Sequence, residues 1–294
     1  MKCYLCPRNC GADRDNGKIG FCGETNAIVA ARAALHQWEE PCISGEIGSG
    51  AVFFSGCNLR CVFCQNVHIA RAKTGKKIPV KRLAEIFMEL KTKGALNINL
   101  VTPTHYVLQI IAALELAKAQ GLDLPIVYNT ASYEKVETLK LLQGKVDIFL
   151  PDFKYLDPDL SRKYSKAIDY PETAKAALKE MVRQTGKPVF DEDGIMKKGI
   201  IVRHLMLPGC LEDSKNIIKY LYETYGDLIY ISIMNQYTPL PHVKKFPELD
   251  RKISSAEYDE LVDYAIALGV ENAFIQEGGT AEESFIPEFD NEGV

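Results

Sequence analysis

From about residue 50 onward, short apolar segments rich in β-branched and aromatic residues alternate with longer segments of helical periodicity. Strand followed by helix, repeated along a chain, is typical of a parallel sheet with right-handed crossovers. The apolar segments are hydrophobic almost throughout, as expected for strands that are covered on both faces. Seven segments have this character: 51–56, 97–102, 126–130, 146–153, 200–207, 229–235 and 273–276.

The connecting segments indicate the same organisation. Residues 80–94 place apolar side chains at helical spacing, and we expect that helix to stop near Gly94. Residues 255–269 repeat the form, with a serine at the start and a glycine at the end. The pattern predicts an α/β fold of six or seven strand–helix units, wrapped either into an open or partial barrel or into a doubly wound sheet. In both arrangements the loops after the carboxyl ends of the strands form the active face.

The chain divides into three parts around this repeat. Residues 1–49 do not fit it and predict a small cysteine-rich, metal-binding N-terminal element. Residues 50–280 carry the strand–helix repeat and are expected to form the barrel or doubly wound sheet, within which the polar segment 187–199 predicts a hairpin or excursion before the next strand. Residues 281–294 are acidic and lack periodicity, so we expect a loose acidic tail.

Charge and hydropathy exclude several classes of protein. The formal net charge of −4 provides no strong attraction to nucleic acid or to an anionic membrane. The N-terminal "MKCYLCPRNC" lacks the apolar core of a secretory signal. The most apolar helical segment, 106–119, is short and ends in charge, which predicts a core helix rather than a membrane span. We therefore expect a cytoplasmic protein whose cysteines stay reduced and serve as metal ligands.

Three cysteines follow the first strand of the repeat directly, in "SGCNLRCVFCQN". Cys57, Cys61 and Cys64 have the spacing C-x3-C-x2-C. A structural zinc site normally closes with four protein ligands, and His68 is poorly spaced to be the fourth. A 4Fe–4S cluster tolerates three cysteines, because its fourth iron can take an exogenous ligand. Zinc and free thiols remain the alternatives at this point.

The stretch "GCNLRCVFC" resembles the cluster loop of the radical S-adenosylmethionine (SAM) superfamily, in which the residue before the last cysteine is usually aromatic, as Phe63 is. Within that superfamily the chain resembles the glycyl-radical-enzyme activases of the pyruvate formate-lyase activating type. The resemblance lies in "CQN" at 64–66, in "VDIFLPDFKYLD", and in "VRHLMLPGCLED". An uncharacterised branch of these activases also has an N-terminal C-x2-C-P-x2-C element.

The resemblance implies a partial (β/α)6 TIM-type barrel, a 4Fe–4S cluster, SAM bound at the open iron, and an electron donor such as flavodoxin or ferredoxin. It implies an oxidoreductase-type, activase-like enzyme that cleaves SAM reductively and abstracts hydrogen from a substrate through a 5′-deoxyadenosyl radical. The substrate is not determined by the sequence, and a protein or peptide is one candidate. The alternatives are a small-molecule substrate or a non-catalytic iron–sulfur electron carrier.

Candidate SAM contacts lie at the strand ends. The family's usual Gly-Gly-Glu-Pro stretch after the second strand is replaced here by "NLVTPTHY", so hydroxyls and backbone carbonyls would have to receive the ammonium group of SAM. No residue is assigned a catalytic role. The predicted cofactor-binding residues are Phe63, Thr102, Pro103, Thr104, Asn129, Lys154 and Arg203.

A second cysteine group lies near the start of the chain. Cys3, Cys6, Cys10 and Cys22 have the spacing C-x2-C-x3-C-x11-C. Four thiolates on a segment too short to be stabilised by a core of its own favour a structural zinc ion, with mononuclear iron or a second iron–sulfur cluster as the alternative.

Three further residues lie near the active face. Cys210 follows the fifth strand, where it is either a hydrogen-atom donor or a small buried hydrophobe. His105 follows the second strand, near the expected SAM site. His204 alternates with Arg203 and is expected to pack against a helix if Arg203 faces the barrel interior.

Overall fold

The computed structural model describes residues 2–276 and 287–294. Within these residues ten strands and nine helices alternate along most of the chain. The strands are β1 (Ile28–His36), β2 (Ser49–Phe54), β3 (Lys76–Ile78), β4 (Ile98–Val101), β5 (Ile126–Thr130), β6 (Ile148–Pro151), β7 (Val189–Phe190), β8 (Met196–Leu205), β9 (Tyr230–Met234) and β10 (Ala273–Ile275). The helices are α1 (Pro41–Ser44), α2 (Val67–Ala70), α3 (Val80–Thr92), α4 (Val107–Ala119), α5 (Val136–Lys140), α6 (Pro158–Ser165), α7 (Tyr170–Thr185), α8 (Leu211–Tyr225) and α9 (Ser255–Leu268).

All seven predicted strands are present, and they pair in parallel in the order β2-β4-β5-β6-β8-β9-β10. β1 and β3 extend the sheet beyond β2 by antiparallel pairing, and β7 forms the predicted hairpin with β8. Within the described residues the end strands β3 and β10 do not pair with each other. The fold is therefore an α/β partial TIM-type barrel that is not closed.

The two faces of the sheet have different coverings. The outward face packs against α3, α4, α7, α8 and α9 in one large hydrophobic core. The inward face carries a smaller cluster in which Val127, Leu150 and Ile201 pack against Cys42 and Ile43 of α1. Because long helices cover one face and a short helix fills the other, the barrel arrangement holds over the doubly wound one. Each fully buried aliphatic side chain contributes about 1.5–3 kcal/mol to this packing.

The N-terminal element includes a strand that was not predicted from the sequence. β1 runs antiparallel to β2, with Ala34 opposite Ala51. Before β1, the guanidinium of Arg14 is buried and donates to the carbonyl oxygens of His105 at 2.7 Å and Thr25 at 2.6 Å. Residues 1–49 are therefore joined to the barrel through backbone pairing and through a buried cation.

The end of the chain differs from the expected loose tail where the structure describes it. Residues 281–286 lie outside the described residues, whereas 287–294 lie along β1. Asn291 N–H donates to Ala31 O at 3.0 Å, and Ala33 N–H donates to Glu292 O at 2.8 Å. Residues 287–294 form hydrogen bonds with backbone groups of β1 that the short strand β3 does not reach. The acidic composition of the segment does not predict this pairing.

Helix ends largely follow the predicted signals. α3 ends at Thr92, and Gly94 adopts a φ of 85° two residues later. α9 starts from Ser254, whose hydroxyl and backbone form a capping box with Glu257, and ends at the left-handed Gly269. α4 is a 13-residue helix with one side in the core. Among the residues that the structure describes, no helix combines the length and the apolarity needed to cross a membrane.

Candidate active site

The cysteine triplet lies on the loop that leaves the carboxyl end of β2, a strand whose six residues are all buried. Gly56 begins this loop with a φ of 88°, a conformation that favours glycine. A Cβ at this position would lie 2.7 Å from Glu24 Cγ and 2.9 Å from Cys22 O. The glycine therefore allows the N-terminal element to approach the start of the loop.

Hydrogen bonds fix the loop to four neighbouring parts of the chain. They are Cys57 N–H to Cys22 O at 3.1 Å, Asn58 Nδ2 to Tyr133 O at 2.6 Å, Val62 N–H to Tyr164 O at 2.8 Å, and Gln65 Nε2 to Gln236 O at 3.0 Å. The partners belong to the N-terminal element, the loop after β5, the end of α6 and the loop after β9. The thiols are thus held in a fixed position at the active face.

The three thiols are close enough to influence one another. Burial raises the pKa of Cys57 to about 11, and the negative charge of Cys61 adds to the rise. Burial likewise raises the pKa of Cys64 to about 12, with Cys61 and Cys57 adding to it. The ammonium group of Lys154 opposes both rises. Thiolates at this site therefore need a compensating positive charge, which a metal centre provides.

The donor set at this loop consists of three thiols. In residues 2–276 and 287–294, no three His, Cys, Asp or Glu side chains have the close arrangement that one metal ion requires. Three thiols on one loop can each ligate one iron of a four-iron cluster and leave the fourth iron for another ligand. Soft sulfur ligands also match iron–sulfur chemistry.

Beside the thiols lies a charged network that includes three of the predicted cofactor-binding residues. Lys154 Nζ contacts Asp152 Oδ2 at 2.8 Å, and Arg203 Nε donates to Asp152 Oδ1 at 2.9 Å. Arg203 Nη2 donates to Asn129 Oδ1 at 2.7 Å. The structure therefore brings Asn129, Lys154 and Arg203 together around Asp152, which orients both cations.

Glu39 also joins this network, although no sequence motif indicates it. Its carboxylate lies 3.0 Å from Arg203 Nη1 and accepts a hydrogen bond from Asn99 Nδ2 at 2.9 Å. Burial would lower the pKa of Arg203, but Asp152 and Glu39 raise it, so the guanidinium stays charged. Burial raises the pKa of Glu39 and of the adjacent Glu40. Two adjacent glutamates, as in "QWEEPC", would ordinarily indicate a solvent-exposed segment, since Glu is rarely fully buried.

The residues after β4 divide between two places. Thr102 has a φ of 58°, a rare conformation for a β-branched residue, and its N–H donates to Asn129 O at 2.9 Å. Pro103 follows as a buried residue. Thr104 instead donates its hydroxyl to Glu134 Oε1 at 2.5 Å. Thr102 is therefore held beside Asn129, whereas the hydroxyl of Thr104 is already bound to a carboxylate.

Glu134 is a second buried acid that no sequence motif indicates. Thr130 also donates to its Oε1, at 2.5 Å, while its Oε2 is buried without a hydrogen-bond partner. Burial raises the pKa of Glu134 to about 7, although the hydroxyl donors act in the opposite direction. Thr138, four residues later, donates its hydroxyl to Leu5 O at 2.7 Å, so this part of the chain contacts the N-terminal element.

Phe63 and the single residues outside the network have packing roles in the structure. Phe63 is buried in the main core with its ring centroid 6.4 Å from that of Tyr237. The ring nitrogens of His204 lie 2.8 Å from Phe153 O and 2.9 Å from Ser214 Oγ, which confirms it as a packed histidine. His105 Nε2 lies 2.7 Å from Ser55 O, against the end of β2. Cys210 packs at the edge of the core, and burial raises its pKa to about 11.

The four N-terminal cysteines lie in one group. A Cβ on Gly20 would lie 3.3 Å from Cys22 Sγ and 3.6 Å from Cys10 Sγ. Burial raises the pKa of Cys6 to about 12, with smaller contributions from Cys22 and Cys3. Among the described residues, these cysteines too do not form a group of three or more side chains close enough to bind one metal ion. The structure thus places the four thiols next to one another in the N-terminal element.

Comparison with known proteins matches this arrangement. The family model of the radical SAM superfamily matches residues 51–198, which extend from β2 into β8. An uncharacterised protein of Methanocaldococcus jannaschii is 28% identical over 90% of this chain and 74% of its own length. The pyruvate formate-lyase-activating enzyme of Streptococcus mutans is 24% identical over 57% of this chain and 62% of its own length.

A solved structure shows the same fold. SuiB of Streptococcus suis, crystallised with S-adenosylmethionine, superposes with a TM-score of 0.50 at 18% identity, over 76% of this chain. The chain spans about half of SuiB, with 49% of that protein covered. The family match covers half of the chain and includes the cysteine triplet and the strands from β2 to the start of β8. On this evidence the chain belongs to the radical SAM superfamily.

Proposed function

We propose that Cys57, Cys61 and Cys64 bind a 4Fe–4S cluster and that the neighbouring charged network binds SAM. The observation that carries this proposal is the arrangement of three thiols on one fixed loop beside the cation Lys154. The spacing of the loop provides three cysteine ligands and no suitably placed fourth. Cys57, Cys61 and Cys64 would hold the cluster, which when bound would supply the electron for reductive cleavage of SAM and so for hydrogen abstraction from a substrate.

The chain's own residues have separate tasks in this proposal. Lys154 and Arg203 present positive charge toward the methionine carboxylate, with Asp152 holding both cations in position. Asn129, Thr102 and Pro103 offer amide, hydroxyl and carbonyl groups at neighbouring strand ends. Thr104 supports the loop through its bond to Glu134, and Phe63 shields the cluster from the core side. Exclusion of water protects a reactive radical from quenching.

The N-terminal cysteines are proposed to hold a second metal. Cys3, Cys6, Cys10 and Cys22 provide four thiolates, which favours zinc, with iron or an iron–sulfur cluster as the alternative. The guanidinium Nη1 of Arg14 lies 3.7 Å from Cys3 Sγ and supplies positive charge to this group. Metal counting on purified protein distinguishes one zinc per chain from added iron.

We propose a protein or peptide substrate, as the name of the activating enzyme from Streptococcus mutans suggests for that relative. The sheet is open between β3 and β10 in the described residues, and an open barrel side admits an extended chain. A small molecule is the second candidate. Its support is the set of part-buried charged groups, Asp152, Lys154 and Arg203, which would suit a compact polar ligand.

We also propose a reducing cytoplasmic setting, which suits nine cysteines that form no disulfide, and a flavodoxin or ferredoxin as the electron donor.

The decisive experiment is anaerobic reconstitution followed by iron and sulfide counting, electron paramagnetic resonance and a SAM cleavage assay. We expect about four iron atoms at the triplet and formation of 5′-deoxyadenosine under strong reductant. A triplet that holds a zinc ion with four ligands would contradict the proposal. Mixing the reduced protein with candidate polypeptides and looking for a glycyl radical doublet tests an activase role.

A further inference from the structure

Cys61 receives a hydrogen bond from a side chain outside its own loop. The hydroxyl of Ser165, at the end of α6, lies 3.0 Å from Cys61 Sγ and is oriented to donate to it. Ser165 is fully buried, and the hydroxyl of the buried Tyr155 lies 2.8 Å from Ser165 Oγ. A line of three polar atoms therefore runs from the loop after β6, through α6, to the cysteine triplet.

The chemistry of a bound cluster fixes the direction of these hydrogen bonds. A cysteine that ligates iron has lost its proton, so its sulfur only accepts. The single proton of Ser165 then points to Cys61 Sγ, and Tyr155 has to donate to Ser165 Oγ. Burial raises the pKa of Tyr155, so this phenol keeps the proton that it donates.

The backbone holds Ser165 at this distance. Ser165 O accepts from Arg60 N–H at 3.3 Å, and Val62 N–H donates to Tyr164 O, so the end of α6 is paired with the cysteine loop on both sides of Cys61. Lys166 follows with a φ of 54°, which turns the chain away from the loop directly after Ser165. The hydroxyl has little freedom to find another acceptor.

We propose that Ser165, oriented by Tyr155, is a positioning residue that raises the reduction potential of the cluster through its hydrogen bond to Cys61. This inference rests on the proposed function, because it requires a cluster at the triplet. Reduction adds one negative charge to the cluster and its ligands. An O–H dipole directed at a ligand sulfur stabilises that charge, and hydrogen bonds to the sulfurs are among the factors that set iron–sulfur potentials. The bond thus makes the cluster easier to reduce by a biological donor.

The chain offers a matched control for the test. Ser161 lies on the same helix and is also fully buried, but its hydroxyl donates to Pro158 O at 2.9 Å. Ser161→Ala therefore removes a buried hydroxyl from α6 without touching the triplet. Tyr155→Phe removes the donor to Ser165 while leaving the serine in place.

The experiment is a redox titration of the reconstituted protein, followed by electron paramagnetic resonance, with iron and sulfide counted first. We expect Ser165→Ala to lower the midpoint potential relative to the parent, Tyr155→Phe to lower it less, and Ser161→Ala to leave it unchanged. Equal potentials for the parent and Ser165→Ala at equal cluster content would overturn the inference and leave the proposed function intact. A parent protein that binds no cluster would overturn both.

If Ser165→Ala retains too little cluster for titration, Tyr155→Phe decides. A lower potential for Tyr155→Phe supports the inference, and a parental potential overturns it. A shift of the same size in Ser161→Ala would also overturn it, because the effect would then come from repacking of α6 rather than from the bond to Cys61.

Discussion

The cysteine triplet and the N-terminal cysteine group lie side by side, but the chain supports them differently. The triplet follows a buried strand, and its loop is bonded to four other parts of the fold. The N-terminal group lies on turns whose bonds are largely local, such as Cys3 N–H to Ala12 O at 2.9 Å and Gly11 N–H to Cys3 O at 3.1 Å. Cys10 is exposed, whereas Cys6 and Cys22 are buried.

This difference suggests what each metal would contribute. The barrel places the triplet through packing, so a metal there is available for chemistry. A short segment made of turns has little core of its own, so the proposed N-terminal metal would serve its stability. The two regions are nevertheless in contact, because Cys57 N–H donates to Cys22 O at 3.1 Å. Substitutions on either side test how far the separation of roles extends.

The largest effect is expected from Cys61→Ala, which removes one of the three proposed cluster ligands. We expect 5′-deoxyadenosine formation to fall to background while the N-terminal metal remains, since the two groups use different thiols. The measurements are metal content and SAM cleavage, with Cys42→Ala as a control that removes a buried cysteine from the inner face of the barrel. Loss of both metals would show that the two sites form as one unit.

Glu134, which lies between the two regions, should give a pH-dependent effect on stability. Its pKa of about 7 in the folded chain is above its usual value, so the folded state keeps a proton that the unfolded state has lost. Stability should therefore fall as pH rises from about 4.5 to about 7, by about 3 kcal/mol at most, and then stay level.

Glu134→Gln should remove this pH dependence, and chemical denaturation at pH 5 and pH 8 measures it. The exposed Glu115→Gln serves as the control. If the parent protein loses no more stability than Glu134→Gln between these pH values, the carboxyl is not protonated in the folded state.

Arg8 connects the two regions directly, so its removal tests their coupling. Its guanidinium donates to Asn58 O at 2.7 Å and to Lys166 O at 2.5 Å, and it lies 4.2 Å from the ring centroid of Phe21. We expect Arg8→Ala to reduce the free energy of unfolding by about 2 kcal/mol and to reduce cluster retention. Denaturation and iron counting measure both effects. Arg162→Ala, at an exposed ion pair, should change neither, and an Arg8→Ala protein that behaves like it would argue against coupling.

Lys154→Ala should have the smallest effect of the four and concerns the triplet side alone. We expect SAM binding to weaken about tenfold, which corresponds to about 1.4 kcal/mol, because a cation near the proposed carboxylate site is lost. Equilibrium binding measures this change, with Lys163→Ala as a control at a half-exposed lysine. Unchanged affinity would remove Lys154 from the SAM site.

The sequence was sufficient for the parts of the fold that repeat. Apolar runs reveal burial, so the seven parallel strands and the position of the triplet after β2 were predictable. β1 was not predicted, because its alanine-rich sequence has no strong strand pattern and its partner is set by tertiary contact. The same holds for Glu39, which is 164 positions from its partner Arg203. The sequence around a glutamate does not show whether its side chain is buried or exposed. For Glu39 the burial depends on a cation that is remote in the sequence.

The pairing of residues 287–294 with β1 has a practical consequence for protein production. Lys76 Nζ contacts Val294 O at 2.9 Å, and a Cβ on Gly293 would overlap Ala33 O, so this segment has little room for change. Truncated variants that end before residue 287 would uncover the unpaired edge of β1, and bare strand edges promote aggregation. A purification tag fused at this end would also begin at that edge and should be separated from it by a flexible spacer.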